Sequence, residues 1–368
     1  LGQLKIKEAL PSGNYYLHVY TNYMNNFEED ESTIQPIKII NTGDQIESIL
    51  QTESKELNLK IAFEGGTFLA NTDNIIGVNI KDCYGKGIKL TNIEVKNSKG
   101  IIVNTFATNQ EGYGKFSLTN TKFENFTINI NNNGNLITKN IGFPSAEGIN
   151  IQLNNYAIEG KTTATILTNE ETFKKIKNKN FTILIQKNNE ANSINFTLDN
   201  VKKEFLIDKA DFFSGINTIR LINDELTSVS ERVIYYHTNN TINNIKTVKT
   251  KDSLKISGSL NNLVGNFSAS ILPKNTSSNF NENAIVNTLN FKNYLNIGLQ
   301  NPDYYFKKFN NRKAFELDLF LLHTSETKYK WSKIVTTKPI EKYTFDIGIN
   351  VDGKINQVIN NRENVKLK

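Results

Sequence analysis

The sequence predicts an all-β protein made of tandem Ig-like β-sandwiches, with a short helical insertion in the last complete unit. Three observations predict this class. Short segments carry apolar residues at every second position, as strands with one buried face do. Gly- and Asn-rich turn signals recur about every 8 to 12 residues. The 368 residues are also too many for one sandwich of about 100 residues and suit about three.

The first unit, residues 1–42, is predicted to be a small strand-turn-strand segment. Tyr15, Leu17 and Val19 alternate with Tyr16 and His18, and residues 37–40 form another short strand. This is at most half of a sandwich, so we expect the chain to be cut from something longer. Residues 43–56 are polar and are predicted to be a linker.

Two complete sandwiches are predicted next, at residues 57–133 and 135–237. In the first, residues 59–63 form a strand that the turn Glu64-Gly65-Gly66 ends, and residues 97–100 form a hairpin turn. In the second, residues 170–177 are either a short helix or a charged loop.

The fourth unit, residues 245–350, is predicted to be a sandwich that carries the helical insertion near residues 313–334. Apolar residues recur within residues 315–322 at a spacing that suits a helix buried on most sides. Residues 343–349 return to a strand pattern, and residues 351–368 are predicted to begin a further segment.

Aromatic residues of this unit are the candidate interaction residues. The sharper interpretation is an exposed anchor for a partner, because Tyr and Trp dominate interface hot spots. The alternative is the core of the fourth unit, where the helix packs on its sheet. The candidates are Tyr304, Tyr305, Phe306, Tyr329 and Trp331.

The charge pattern argues against a nucleic-acid partner. The formal charge is +6, from 43 basic and 37 acidic residues, but the basic residues are scattered and form no stripe. The acidic run at residues 28–31 is predicted to be a solvated loop. No run of 18 apolar residues occurs, so no transmembrane helix is predicted.

No catalytic, cofactor-binding or metal-binding constellation is visible, so the chain is predicted not to be an enzyme. His18, His237 and His323 fall in three different units, and no nucleophile elbow, zinc-binding helix motif or phosphate-binding loop occurs. His323 is predicted to end a helix and interact with its dipole. Cys83, the single cysteine, can form no disulfide within the chain and is predicted to pack in a strand core.

Four segments, in order, resemble a Bacteroidota cell-envelope family with macroglobulin-like (MG2-type) domains, distantly related to α2-macroglobulins. Residues 10–27 resemble its segment LPSGxYxLRAYTNWMRNF, and residues 63–66 resemble its PEGG segment without the proline. Residues 214–233 resemble its third segment. Residues 296–331 resemble its fourth, although residues 324–328 depart from the family's TQGWR.

The resemblance implies tandem macroglobulin-like and carboxypeptidase-regulatory-like sandwiches, with most of the first sandwich preceding Leu1. It also implies outer-membrane association, on either face, with an outer-membrane β-barrel or lipoprotein as partner. Thioester chemistry is not expected, because Cys83 has no Gln at the required spacing.

The predicted function is a non-catalytic structural or interaction module of the cell envelope. The alternatives are a carbohydrate- or protein-ligand-binding module in nutrient capture, a non-thioester protease-interacting protein, and a hydrolase with an unrecognised site.

Overall fold

The computed structural model describes residues 10–41, 57–83, 85–132, 134–237, 246–258, 291, 293–295, 299, 302–306, 308–324, 327–336 and 341–344. Within them the chain is built mainly from antiparallel sheets. The predicted all-β, Ig-like class is therefore confirmed. No helix among these residues is both long and apolar enough to cross a membrane.

An N-terminal hairpin forms the first described element. Strands β1 (Gly13–Val19) and β2 (Thr33–Ile39) pair antiparallel, with Gly13 opposite Ile39 and Val19 opposite Thr33. The connecting loop contains a 3₁₀ turn at Asn22–Asn26. Thr21 caps this turn, since its hydroxyl accepts a hydrogen bond from the Met24 N–H.

Sandwich 1 packs a three-stranded sheet, in the order β3-β4-β7, against a four-stranded sheet, in the order β6-β5-β8-β9. Alternation builds its core: Ile76, Val78 and Ile80 of β4 are fully buried on one face. Its strands are β3 (Leu57–Phe63), β4 (Asn74–Asp82), β5 (Ile93–Lys96), β6 (Ile102–Phe106), β7 (Tyr113–Leu118), β8 (Phe126–Asn132) and β9 (Asn135–Gly142).

Sandwich 2 repeats this arrangement, with the sheets β10-β11-β14 and β13-β12-β15-β16. A short helix, α1 (Glu170–Ile176), joins β11 to β12, so the helical alternative for this segment is correct. Asn169 caps it by accepting a hydrogen bond from the Thr172 N–H. The strands are β10 (Ile149–Asn154), β11 (Lys161–Thr168), β12 (Asn180–Lys187), β13 (Glu190–Thr197), β14 (Lys202–Asp208), β15 (Gly215–Asn223) and β16 (Ser228–Tyr236).

The boundary between the sandwiches differs from the one placed at residues 133–135. Strand β9 pairs with β8, from Phe126 opposite Gly142 to Asn132 opposite Asn135, so it is the seventh strand of sandwich 1. The Asn- and Gly-rich segment before β9 resembles a linker in sequence, but Gly134 has φ +86° and forms a tight hairpin turn. The connection between the sandwiches is residues 143–148.

The rest of the described chain is a second hairpin and three helices. The hairpin pairs β17 (Lys246–Lys249) with β18 (Leu254–Ser257). The helices are α2 (Pro302–Phe306), α3 (Asn311–Leu322) and α4 (Trp331–Thr336). Asn310 caps α3 through its side chain, so the predicted helix is confirmed. The strand predicted at residues 343–349 and the segment 351–368 lie largely or wholly outside the described residues.

Helices α2 to α4 and the described residues around them, 291–336, are called here the C-terminal layer. Six consecutive residues of α3, Leu317–Leu322, are buried, because the helix is enclosed between β7 of sandwich 1 and β16 of sandwich 2. The layer shares a core with both sandwiches, to which Tyr113, Ile216, Val233 and Tyr235 contribute. The predicted packing of this helix on a fourth sheet is therefore corrected for the described residues: it packs on the two preceding sandwiches.

Candidate interdomain junction and groove

A buried ionic cluster lies where sandwich 1, sandwich 2 and the C-terminal layer meet. Arg232 of β16 donates to Asp318 of α3 at 2.5 Å and lies 3.4 Å from Glu64, in the turn after β3. Lys115 of β7 reaches the other Asp318 oxygen at 3.0 Å and donates to the Tyr156 hydroxyl at 2.7 Å. These five residues are called here the buried junction. They come from five separate segments of the chain and join its three units.

Glu64 also accepts a hydrogen bond from a backbone N–H group at the edge of a sheet in sandwich 2. Strand β10 is the edge of its sheet, and the Leu153 N–H donates to Glu64 Oε1 at 2.8 Å. One step along, the Ile151 N–H donates to the Ser230 hydroxyl at 3.0 Å, and this hydroxyl donates to the Gly65 carbonyl. The edge is thus capped by side chains instead of by another strand.

Gly65 is required at this turn for two reasons. Its φ is +78°, a left-handed conformation that glycine adopts without steric cost. A Cβ there would also lie 2.8 Å from the Ser230 hydroxyl and 2.9 Å from Ile151 backbone atoms. The Glu64-Gly65 pair therefore lets sandwich 1 approach the β10 edge closely.

The electrostatics of the buried junction follow from its burial. Desolvation alone would lower the pKa of Arg232, but Asp318 and Glu64 outweigh it and hold that pKa above its usual value. Desolvation likewise opposes the charge of Lys115, and Asp318 raises its pKa overall. Burial raises the pKa of Glu64, which has the long contact to Arg232 and whose Oε2 has no hydrogen-bond partner within the described residues.

These carboxylates do not form a hydrolase site. Glu64 and Asp318 are buried, and the cations of the buried junction pair with them. A catalytic pair needs access to substrate and water. Among the described residues, no group of three or more His, Cys, Asp or Glu side chains is arranged to hold a metal ion.

A second polar cluster ties the segment before α4 to sandwich 2. Arg220 of β15 is buried and pairs with Glu231 at 2.7 Å. Its other nitrogens donate to Gln186 at 2.6 Å and, at 3.1 Å each, to the Thr327 hydroxyl and the Tyr329 carbonyl. Through these contacts Thr327 and Tyr329 are fixed against sandwich 2.

The N-terminal hairpin loop docks on the same segment. Glu31 pairs with Lys328 at 2.8 Å and accepts a hydrogen bond from the Tyr329 hydroxyl at 2.6 Å, and Glu28 pairs with Lys333. These five residues are called here the acidic clasp. Two members of the acidic run predicted to be a solvated loop therefore have defined partners.

The five candidate aromatic residues divide into two groups. Tyr305 is 1% exposed, and its hydroxyl donates to Glu111 at 2.8 Å, while Phe306 packs beside Tyr235 in the shared core. Tyr305 is a core residue and Phe306 is half-buried against that core, so neither forms an exposed anchor in the described structure. Tyr304, at 39% exposed, donates to Glu316 at 2.5 Å on the outer side of the layer.

Tyr329 and Trp331 lie at the second cluster, and Trp331 lines a groove. The Trp331 Nε1–H donates to the Leu226 carbonyl at 2.7 Å, and the Arg220 guanidinium lies 5.5 Å from the indole centre. The groove has a volume of about 790 Å³. Its walls are residues 65–67 of sandwich 1, residues 225–231 of sandwich 2 and, in the C-terminal layer, Thr327, residues 330–332 and Val335. It is called here the Trp331 groove.

Two other single-residue predictions need correction. Cys83 is exposed in the turn after β4 and is not a core residue, because the apolar alternation of β4 ends at Ile80. His323 does follow the last residue of α3, but burial lowers its pKa to about 4. A neutral imidazole carries no charge to interact with the helix dipole.

Sequence reasoning did not identify the buried junction as a site. Glu64, Arg232 and Asp318 all lie in the segments that carry the family resemblance, but they are far apart along the chain. The available signal was a charged residue inside an otherwise apolar element, such as Asp318 within Leu317–Leu322. Such residues are rarely buried without a partner.

No protein-family model matches this chain, and no curated protein matches it. Similar solved structures include the Escherichia coli adhesin FdeC, at 12% identity over 49% of this chain and 65% of that chain, with a TM-score of 0.19. Invasin, described as a bacterial integrin-binding protein, shares 13% identity over 51% of this chain and 40% of that chain, with a TM-score of 0.21. The native E. coli alpha-2-macroglobulin shares 10% identity over 68% of this chain and 23% of that chain, with a TM-score of 0.20.

The chain thus spans less than two-thirds of each of these three structures. The likenesses are too distant to bear on fold or function. The strand order and the shared core define the class by themselves: this is a tandem Ig-like β-sandwich protein with a helical layer packed across both sandwiches.

Proposed function

We propose that this protein is a non-catalytic structural and interaction module of the bacterial cell envelope. The observation that carries the proposal is the buried junction, together with the core that the C-terminal layer shares with both sandwiches. Two domains joined only by a short connection move relative to one another by default. Here buried charges and a common core oppose that motion. A pair of sandwiches in fixed orientation is suited to spacing and presenting binding surfaces.

The partner we propose is an outer-membrane β-barrel or lipoprotein, as the resemblance to macroglobulin-like envelope proteins implies. Strand β6 offers a surface for such a contact. It is an edge strand, and Ile101, Ile102 and Val103 are 57%, 49% and 42% exposed. Three successive exposed apolar residues at a sheet edge favour addition of a partner strand.

The proposal is tested by affinity purification of the tagged protein from detergent-solubilised outer membranes, with quantitative mass spectrometry. We expect a stoichiometric β-barrel or lipoprotein that is lost in Ile102→Lys. The matched control is Leu206→Lys, which places the same charge at an exposed residue of the β14 edge in sandwich 2. A monomer without any membrane partner would overturn the proposal.

A further inference from the structure

We propose that the Trp331 groove binds a neutral oligosaccharide. This inference is independent of the scaffold role, because it concerns the outer rim between the sandwiches and leaves the buried junction and the β6 edge aside. The volume of about 790 Å³ lies within the range of small-ligand sites. Its lining mixes an indole and a few aliphatic side chains with a majority of polar residues.

The indole is held in place before any ligand arrives. The hydrogen bond to the Leu226 carbonyl fixes its edge, and Arg220, itself anchored by Glu231 and Gln186, covers one face. A ligand can therefore stack only on the opposite face. A fixed aromatic ring loses little conformational entropy on binding, which favours affinity.

The polar rim of the groove has unused hydrogen-bonding capacity. The side chains of Thr67, Thr227, Ser228 and Glu225 line the groove, and none makes a hydrogen bond or ion pair within the described part of the chain. Hydroxyls both donate and accept, while an ionised carboxylate only accepts. The groups that match this set are hydroxyls with an apolar ring face alongside, which is the chemistry of a sugar.

The groove wall also contains a strained residue. Leu226 has φ +58° at the tip of the β15–β16 hairpin and is 65% exposed. For a residue other than glycine, this left-handed conformation costs about 1–2 kcal/mol. Retained strain in an exposed loop points to a function for that loop. Here it aims the Leu226 carbonyl at the indole and leaves the leucine side chain at the groove.

The charges that line the groove favour a neutral sugar over an anionic one. The lining contains two carboxylates, Glu225 and Glu231, and one ammonium group, Lys330. Glu231 is paired with Arg220, and Glu225 makes no ion pair within the described residues. An acidic ligand would meet the Glu225 carboxylate. A neutral sugar hydroxyl can donate to it instead, in a charge-assisted hydrogen bond.

Tryptophan fluorescence tests the proposal directly, because Trp331 is the only tryptophan in the sequence and reports on this groove alone. The probes are maltohexaose, cellohexaose and the hexamer of N-acetylglucosamine, titrated to millimolar concentration against the whole chain. We expect a saturable change in emission with at least one of them, and a heat of binding at the same midpoint in calorimetry.

Three variants test whether the sugar binds in the Trp331 groove. Trp331→Ala should weaken binding at least tenfold by calorimetry. Because that substitution removes packing, Glu225→Gln and Ser228→Ala provide variants of the rim with little effect on folding, and each should weaken binding a few fold. Tyr304→Ala, an exposed aromatic residue outside the groove, should leave affinity unchanged.

Any of three results would overturn the proposal. The first is no saturable response to any of the three probes. The second is binding that Trp331→Ala and Glu225→Gln both leave intact. The third is a fluorescence response to an extended apolar peptide but not to the sugars, which would make the groove a protein-docking site.

Discussion

The buried junction and the Glu28–Lys333 pair of the acidic clasp use the same chemistry in opposite surroundings. Both pair carboxylates with basic side chains across segments far apart in sequence. At the buried junction, Arg232 and Asp318 are withdrawn from solvent. In the acidic clasp, the Glu28 side chain is 80% exposed, although the Lys328 side chain that pairs with Glu31 is 4% exposed. Loss of one partner leaves an unpaired buried charge at the buried junction, whereas loss of Glu28 leaves Lys333 in contact with water.

The buried pairs fix the arrangement of the units more strongly than the exposed pair does. A buried pair adds little net stability over an apolar pair, but it penalises every arrangement that separates its members. The buried junction thus selects one orientation of the two sandwiches and the C-terminal layer. The acidic clasp holds the N-terminal hairpin with contacts that salt can weaken. The molecule has a rigid centre and a more readily detached N-terminal element.

The largest expected effect is at Asp318. Asp318→Ala leaves Arg232 and Lys115 without their carboxylate, and we predict that the free energy of unfolding falls by about 3–5 kcal/mol. Urea denaturation at pH 7 measures it. Arg312→Ala serves as control, since Arg312 is exposed on the same helix and pairs only with Glu316 within the described residues. It should change stability little. A similar small loss for both variants would contradict a strongly coupled junction.

The second prediction concerns the turn that carries Glu64. Gly65→Ala adds left-handed strain and places a methyl group against the Ile151 backbone, so we expect a loss of about 2–4 kcal/mol. Gly66→Ala is the matched control: its φ is +92°, but a Cβ there meets nothing within 4 Å. It should lose only the strain, about 1–2 kcal/mol. Equal losses in thermal or urea unfolding would show that close approach at Gly65 contributes nothing.

The third prediction concerns the pH dependence of stability that His323 causes. The charged form of this buried side chain is not offset by opposite charges, as the cations of the buried junction are. Desolvation lowers its pKa from 6.5 to about 4, and Arg232, Lys60 and Lys81 add repulsion for the imidazolium. The unfolded chain therefore binds a proton below pH 6.5 that the folded chain does not. Stability due to this group is present above that pH and is lost as pH falls toward 4. The expected loss between pH 7 and pH 5 is about 2 kcal/mol.

His323→Gln removes that titration and should flatten the pH dependence of unfolding. The control matters because Glu64 acts in the opposite direction: its raised pKa favours the protonated folded state, so its contribution falls as pH rises. The difference in pH dependence between the native chain and His323→Gln gives the contribution of the histidine alone. If the two show the same slope between pH 7 and pH 5, His323 does not control this window.

Local sequence patterns predicted the sandwiches well because alternation and turn chemistry are local. Ile76, Val78 and Ile80 mark a half-buried strand without reference to the rest of the chain. Strand β9 was assigned to the wrong sandwich because a turn at Gly134 and a linker look alike in sequence. Only pairing with β8 distinguishes them.

The sites were less predictable because they depend on contacts between distant segments. No local pattern shows that Glu64 meets an arginine 168 residues later, or that Tyr305 is buried while its neighbour Tyr304 is exposed. The apolar spacing of helix α3 predicted that it is a helix. It did not predict which strands the helix packs against, because that depends on residues far away in the sequence. The Trp331 groove likewise exists only once three segments meet.

The smallest loss of stability is expected at the exposed pair of the acidic clasp, where a local effect can be separated from a global one. Glu28→Gln should lower the free energy of unfolding by less than about 1 kcal/mol. It should nevertheless speed amide hydrogen exchange at residues 22–26, because the hairpin loop loses its ion pair to Lys333. The native chain in about 0.5 M salt should show a similar but smaller increase.

Glu29→Gln is the control, since Glu29 belongs to the same acidic run but makes no ion pair or hydrogen bond within the described residues. If it speeds exchange as much as Glu28→Gln does, the acidic run acts through its total charge and not through specific pairs. If instead Glu28→Gln destabilises the whole molecule as much as Asp318→Ala does, the hairpin is part of the rigid centre. The distinction between the two regions then fails, because partial exposure would not have weakened the pairs.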